Sequence, residues 1–218
     1  MVNPKTQNNI DGKQQILPIE KYGVKTLSIG FLTDQSQAVV WRGPMASSAL
    51  RQFVTDTAWG DLDYMVIDLP PGTGDIHLTL VQTVPVTAAI IVTTPQAVAQ
   101  ADAIKALEMF KMPNINVPIL GVVENMSYFT PPELPNNRYY LFGKDGGRHL
   151  ADTYNVPLLA QLPIVEAVRA GGDTGKPIVL EENSPIAKTF MQFAETTARN
   201  IAIRNANFEQ TKVVNMKA

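Results

Sequence analysis

Two groups close together in this 218-residue sequence could do chemistry: the carboxylate of Asp68 and the backbone amide of Gly72, inside the string Asp68-Leu69-Pro70-Pro71-Gly72-Thr73-Gly74-Asp75. A carboxylate is a hard oxygen ligand suited to a water on Mg2+. Glycine has no Cβ, so a phosphate can approach its main chain. The same residues also read as a capping acid before a proline-rich turn. Asn125 closes another apolar run. Its amide both donates and accepts, which suits the edge of a base and equally suits a turn. Asp34 reads as a metal or water ligand or as a loop acid, and Arg42 as a phosphate contact or an exposed turn arginine. His77 and His149 stand far apart with no partner at metal-ligand spacing, which favours packing or surface roles. The string Gly143-Lys144-Asp145-Gly146-Gly147 lacks the Gly-x-x-x-x-Gly-Lys-Ser/Thr order of a phosphate loop. It is read as a flexible turn that opens a helix over 148–154.

These groups need elements to hold them. Residues 64–67, Tyr-Met-Val-Ile, form a short apolar run that Asp68 and two prolines stop. That pattern predicts a buried parallel strand with Asp68 at its carboxyl end, where open α/β sheets bind ligands. Further strand-like runs cover 24–31, 87–93, 118–125 and 156–162, with a brief one at 38–41. Apolar residues recur at helical spacing over 45–59, where Gly60 is the stop, and over 98–112. Asp75 is a candidate N-cap for a helix over 76–83, and 164–170 reads as a short helix. Residues 171–177 read as a turn. Ser184-Pro185 supplies a cap and a first-turn proline for a long helix to about 205. Strands alternating with helices predict an α/β fold, a doubly wound and mostly parallel sheet with helices on both faces. Residues 1–20 are a polar N-terminal segment, with 3–15 read as loop, 21–206 form the domain, and 207–218 are a polar tail expected to be disordered.

Composition narrows the function classes. At 45% hydrophobic residues the chain can bury one substantial core. A net charge of −2 offers no basic face for nucleic acid and no polybasic membrane anchor. No apolar run approaches the ~18 residues of a membrane span and no signal-peptide pattern opens the sequence, so the expected location is the cytoplasm. There is no cysteine. Disulfides, thiolate nucleophiles and thiolate-held metals are therefore excluded within this sequence.

The string from Asp68 to Asp75 resembles the Walker B and switch II segment of the Mrp/ApbC family, deviant P-loop ATPases related to MinD and ParA. Other strings agree with the resemblance in the same order: Trp41-Arg42-Gly43-Pro44-Met45, Trp59-Gly60-Asp61-Leu62-Asp63-Tyr64, Gly121-Val122-Val123-Glu124-Asn125-Met126-Ser127, and Phe142-Gly143 leading to Gly146-Gly147. It covers about residues 20–200. The resemblance implies an iron–sulfur cluster carrier that binds and hydrolyses ATP with Mg2+, acts as a homodimer, and serves apo iron–sulfur proteins. It implies that Asp68 positions metal-bound water and that Gly72 senses the γ-phosphate within the Pro70-Pro71-Gly72 loop. It also implies that Asn125 reads the base, with Pro163 lining the adenine pocket.

Two departures matter. Where many relatives carry a Cys-x-x-Cys pair, this chain reads Thr130-Pro131-Pro132-Glu133-Leu134-Pro135. Glu133 alone is a poor ligand for a soft cluster and reads as a solvated loop acid. The second departure is the phosphate loop: no string in the sequence has its order, so the expected fold is MinD-like without its N-terminal strand, P-loop and first helix. On that expectation the chain is the C-terminal part of a longer ATPase, or a truncated form, and is not catalytic alone. Two other functions compete. A MinD/ParA-like positioning ATPase would want a basic C-terminal helix, and 207–218 offers only Lys212 and Lys217 as cations. A non-catalytic dimerisation or docking module would use an exposed sheet edge.

Overall fold

The computed structural model describes residues 5–8, 12–31 and 43–215. Asp34, Arg42 and the run 38–41 lie outside the described residues. The chain divides into two compact units, one comprising Met1–Pro85 and Lys212–Ala218, the other Val86–Thr211.

The first unit contains two antiparallel hairpins. Strand β1 (Thr6–Asn8) pairs with β2 (Gln14–Ile16), and β3 (Ile19–Lys21) with β4 (Val24–Thr26). The second hairpin turns on Tyr22 and Gly23, both at positive φ (54° and 74°), which matches the right-handed twist of the flanking strands. The expected loop over 3–15 is thus corrected to a hairpin where it is described. The run 24–31 is not one strand either: β4 stops at Thr26 and a 3-10 turn occupies Ile29–Phe31. Helix α1 (Gly43–Thr55) buries Ala46 and Ala49. It ends before Gly60 because the main chain beyond it bonds elsewhere. Ile16 N–H donates to the Asp56 carbonyl and Ala58 N–H to the Ile16 carbonyl, each at 2.8 Å. Helix α2 (Asp75–Thr83) has Gly74, not Asp75, at its cap, and packs against α1. Asp75 sits in the first turn, where a carboxylate faces the positive end of the helix dipole.

Residues 64–68 overturn the central expectation. They form no strand; Tyr64, Met65 and Val66 are exposed, Val66 at 92%. A parallel strand is stable only where neighbours take up its N–H and C=O groups. No described strand pairs with this run, so its apolar character does not make it a strand.

The second unit is built on a three-stranded parallel sheet in the order β5 (Ala89–Thr93), β6 (Ile119–Glu124), β7 (Leu158–Gln161). These strands fall inside the predicted runs 87–93, 118–125 and 156–162. Helix α3 (Ala97–Lys111) connects β5 to β6, and α4 (Gly146–Tyr154) precedes β7. Side chains alternate across β6. Val123 packs with Leu159, Leu162, Phe190 and Phe193 on the face covered by α6 (Pro185–Asn207). Glu124 points the other way, onto Gly147 at the start of α4. Helices therefore cover both faces of this sheet. Helix α5 (Glu166–Thr174) runs through Gly171 and Gly172 and closes on Gly175 in the left-handed conformation, correcting the turn expected over 171–177. The expected flexible turn at 143–147 is also corrected. Gly146 and Gly147 are buried, and a Cβ on Gly146 would lie 2.5 Å from the Pro95 carbonyl oxygen. In the tail, Val214 is buried and its N–H donates to the Val81 carbonyl at 2.9 Å. Among the described residues no helix is long and apolar enough to cross a membrane.

Candidate functional site

In the second unit the carboxyl ends of the three strands form one rim. Thr93, Glu124 and Gln161 lie side by side in register, so the residues just after them share that edge. Asn125 and Pro163 are both there, just beyond the ends of adjacent strands. This is where a parallel sheet presents a ligand-binding crevice. The rim is tied on both sides of Asn125. Asn125 N–H donates to the Thr93 carbonyl (2.7 Å), Leu162 N–H to the Glu124 carbonyl (2.8 Å), and Ser127 N–H to the Leu162 carbonyl (2.9 Å). Met126 takes a left-handed φ of 54°, which turns the chain sharply after Asn125. The Asn125 Oδ1 accepts from Met126 N–H at 3.0 Å, which fixes the amide and keeps a second lone pair and the Nδ2 hydrogens available.

The group that sequence reasoning passed over is Glu124. Its side chain is completely buried. A buried carboxylate is costly unless every oxygen finds donors. Here Ser127 Oγ and Gln161 Nε2 donate to Oε1, the latter at 2.9 Å, and Gly147 N–H donates to Oε2 at 2.5 Å. Gln161 Nε2 also reaches Asp145 Oδ1 at 3.2 Å, carrying the network to an exposed pair of Asp145 with Arg148. The available signal was an acid as the last residue of an otherwise apolar strand, with a serine three places on and a Gly-Gly helix start downstream.

Asp68, Pro70, Pro71 and Gly72 belong to the first unit, and Asn125 and Pro163 to the second. Asp68 is exposed and, with no strand before it, does not stand at the mouth of a sheet among the described residues. Gly72 has φ 97° and open space where a Cβ would be. A phosphate can therefore come up to this main chain without steric conflict. The loop stands on His77, which α2 buries. Burial lowers the pKa of its imidazole, while hydrogen bonds to the main chain at Gly74 and Pro70 push the other way. His77 thus packs beneath the Pro-Pro-Gly-Thr-Gly loop. At the start of α1, a Cβ on Gly43 would lie 3.4 Å from the Asp75 carboxylate, so this helix start is close to that of α2.

On the rim of the second unit, a fixed amide and a proline offer groups of the kind that suit the edge and face of a base. In the first unit, a glycine main chain with open space beside it and an exposed carboxylate offer groups of the kind that suit a phosphate and a hydrated Mg2+. Among the described residues no three His, Asp or Glu side chains cluster as a metal cage. Segment 130–135 is a surface turn in which Leu134 N–H donates to the Pro131 carbonyl (3.0 Å), and Glu133 is exposed.

Comparison with known proteins places the chain among named relatives. The chain is 49% identical over 197 residues to an iron–sulfur cluster carrier protein of Pseudomonas fragi, covering 90% of this chain and 68% of that protein. It is 44% identical over 192 residues to the iron–sulfur cluster transfer protein NUBPL of Dictyostelium discoideum, covering 88% and 58%. The chain spans about half to two thirds of the length of the curated relatives it matches. Among solved structures it is similar to an Archaeoglobus fulgidus nucleotide-binding protein in complex with ADP, with TM-score 0.63, 34% identity, and coverage of 83% and 67%. The cell division ATPase MinD of Pyrococcus furiosus shares the fold, with TM-score 0.53 and 24% identity over 71% of this chain and 58% of that one. A model described as ParA, NUBPL iron-transfer P-loop NTPase, matches residues 1–198, and the chain belongs to that family.

Proposed function

We propose that this chain is the switch and base-reading part of an ATP-dependent iron–sulfur cluster carrier, with the cluster as cargo handed to apoproteins. The observation that carries this is the meeting of a fixed Asn125 amide and Pro163 on one rim of a parallel sheet, in a chain whose relatives bear the carrier name. In this reading Asn125 pairs with the adenine edge and Pro163 lies against the base. Asp68 holds a water of Mg2+, Pro70 and Pro71 shape the loop, and the Gly72 amide meets the γ-phosphate. Magnesium–ATP supplies a phosphate whose presence or loss shifts the switch loop between two states.

The phosphate-cradling loop belongs, on this proposal, to protein outside these residues. The sequence holds no Gly-x-x-x-x-Gly-Lys-Ser/Thr string, which supports that reading. Alone, the chain binds ATP weakly and does not hydrolyse it. With no cysteine in the sequence, thiolates that hold the cargo come from outside this chain. The carrier is taken as a cytoplasmic homodimer that engages apo iron–sulfur proteins. A net charge of −2 gives no support to a nucleic-acid or anionic-membrane partner.

Titration of the purified 218-residue chain with a fluorescent ATP analogue and Mg2+ tests this. Weak, saturable binding is expected, displaced better by ATP than by GTP and weakened by Asn125→Ala, with no phosphate released. Absence of saturable binding overturns the nucleotide site. Mg2+-dependent phosphate release abolished by Asp68→Ala overturns the claim that the chain is inactive alone.

A further inference from the structure

The geometry points to Glu124 as a positioning residue that sets the aim of Asn125, so that base selectivity depends on a buried carboxylate that itself touches no nucleotide. The inference rests on the nucleotide-site reading of Asn125.

Glu124 precedes Asn125 directly, and its side chain clamps what lies around the rim. Oε1 accepts from Ser127 Oγ, just beyond the left-handed Met126, and from Gln161 Nε2 on β7. Oε2 accepts from Gly147 N–H in the first turn of α4. One carboxylate therefore joins the turn containing Asn125, the neighbouring strand and the start of a helix. The fit at Gly147 is close: a Cβ there would lie 2.7 Å from Glu124 Cβ, so only glycine lets the helix start come this near. A negative charge at the positive end of a helix dipole is favourably placed. Main-chain bonds from Asn125 to Thr93 and from Leu162 to Glu124 fix the strand, but the turn over 125–127 is fixed by Ser127. Ser127 is in turn held through its hydroxyl by Glu124.

Three donors converge on an acceptor-only group. Glutamine is nearly the same size yet offers one acceptor oxygen and two donor hydrogens. With its oxygen toward Ser127 and Gln161 it sets N–H against the Gly147 N–H; flipped, it sets N–H against Gln161. Either way a buried donor is left unpaired, and either the helix start or the turn after Asn125 must move. A shift of the turn changes where the Asn125 amide points, and hydrogen-bond readout of a base is sensitive to such a shift.

The test compares ATP and GTP affinities for the wild-type chain and for Glu124→Gln, Ser127→Ala and Asn125→Ala, using the fluorescent analogue in competition. The ATP-over-GTP ratio is expected to fall about tenfold in Glu124→Gln, in step with Asn125→Ala and with no further loss in the double variant. Ser127→Ala is expected to lower the ratio in the same direction and keeps the carboxylate, so it decides the matter if Glu124→Gln does not fold. A wild-type ratio near one sinks the base-reading role of Asn125 and the inference with it. A wild-type preference lost in Asn125→Ala but kept in Glu124→Gln and Ser127→Ala, with only the melting temperature lowered, overturns the positioning role alone.

Discussion

Val122 and Val66 each sit near the middle of an apolar run that ends in a carboxylate and a turn, Ile119–Glu124 in one case and residues 64–68 in the other. Val122 is completely buried and Val66 is 92% exposed. The runs differ less in side chains than in neighbours. Strand β6 has β5 on one edge and β7 on the other, so it is laddered on both sides, and its two faces are then covered by helices. No described strand accompanies residues 64–68. An apolar, β-branched run states a preference for a pleated surface; it becomes a strand only where a neighbouring ladder accepts it.

The sharpest way to break that contrast is to make the same deletion in both valines. Val122→Ala is expected to cost about 2–3 kcal/mol, from two lost buried carbons and the cavity they leave. Val66→Ala should stay within about 0.5 kcal/mol, as for other surface positions. Urea unfolding followed by circular dichroism measures both. A cost at Val66 equal to that at Val122 would mean the run is covered in solution, by a second copy or by another chain.

Two glycines extend the contrast from side chain to backbone. Gly147→Ala puts a Cβ 2.7 Å from Glu124 Cβ, and the packed helix start must shift at a cost of about 1–3 kcal/mol. Gly72→Ala meets no atom but holds an L-residue at φ 97°, a conformational cost of about 1–2 kcal/mol. The larger but αL-tolerant asparagine separates the two causes. It should be milder than alanine at Gly72 and harsher than alanine at Gly147, judged by thermal melting of the four variants. The same ordering at both positions would remove the distinction between a loop limited by conformation and a rim limited by packing.

The uneven legibility of the sequence has the same origin. The strands β5, β6 and β7 and the helices α1, α3 and α6 were readable because their apolar spacing is satisfied by partners within the chain. Asn125 stands at the end of a run legible as a strand, but local sequence suits a turn asparagine there as well, and its base-reading role comes from the family resemblance. Residues 64–68 carried an equally good strand pattern, and nothing in local sequence says whether a neighbour is there to pair with it. The pairing of β1 with β2 was missed because its side chains are mostly polar and exposed, so no periodicity announces it; main-chain ladder bonds hold it together. Glu124 was hidden by its own string. It lay inside the expected strand 118–125 with no role of its own, and its donors lie 3, 23 and 37 residues away along the chain.

The smallest predicted effect concerns pH and tests His77, a buried polar side chain beneath a candidate loop. His77 sits under the 70–74 loop with its pKa below the ordinary 6.5, mainly because burial disfavours the imidazolium. Below 6.5 the unfolded chain takes up a proton that the folded chain resists, so the unfolded state binds more protons and stability rises with pH across that window. The His77 contribution is therefore fully present above about pH 6.5 and is lost as the pH falls toward the lowered folded value. In melts between pH 5 and pH 8, the wild-type chain should lose stability on the acid side. His77→Gln, which cannot take up that proton, should show a shallower acid limb while melting lower at pH 8 because it packs less well. The measurement has to follow the first unit, and Trp59, whose indole N–H donates to the Phe53 carbonyl at 2.7 Å within that unit, supplies the fluorescence signal. An unchanged acid limb in His77→Gln would show that the loop does not rest on a neutral imidazole.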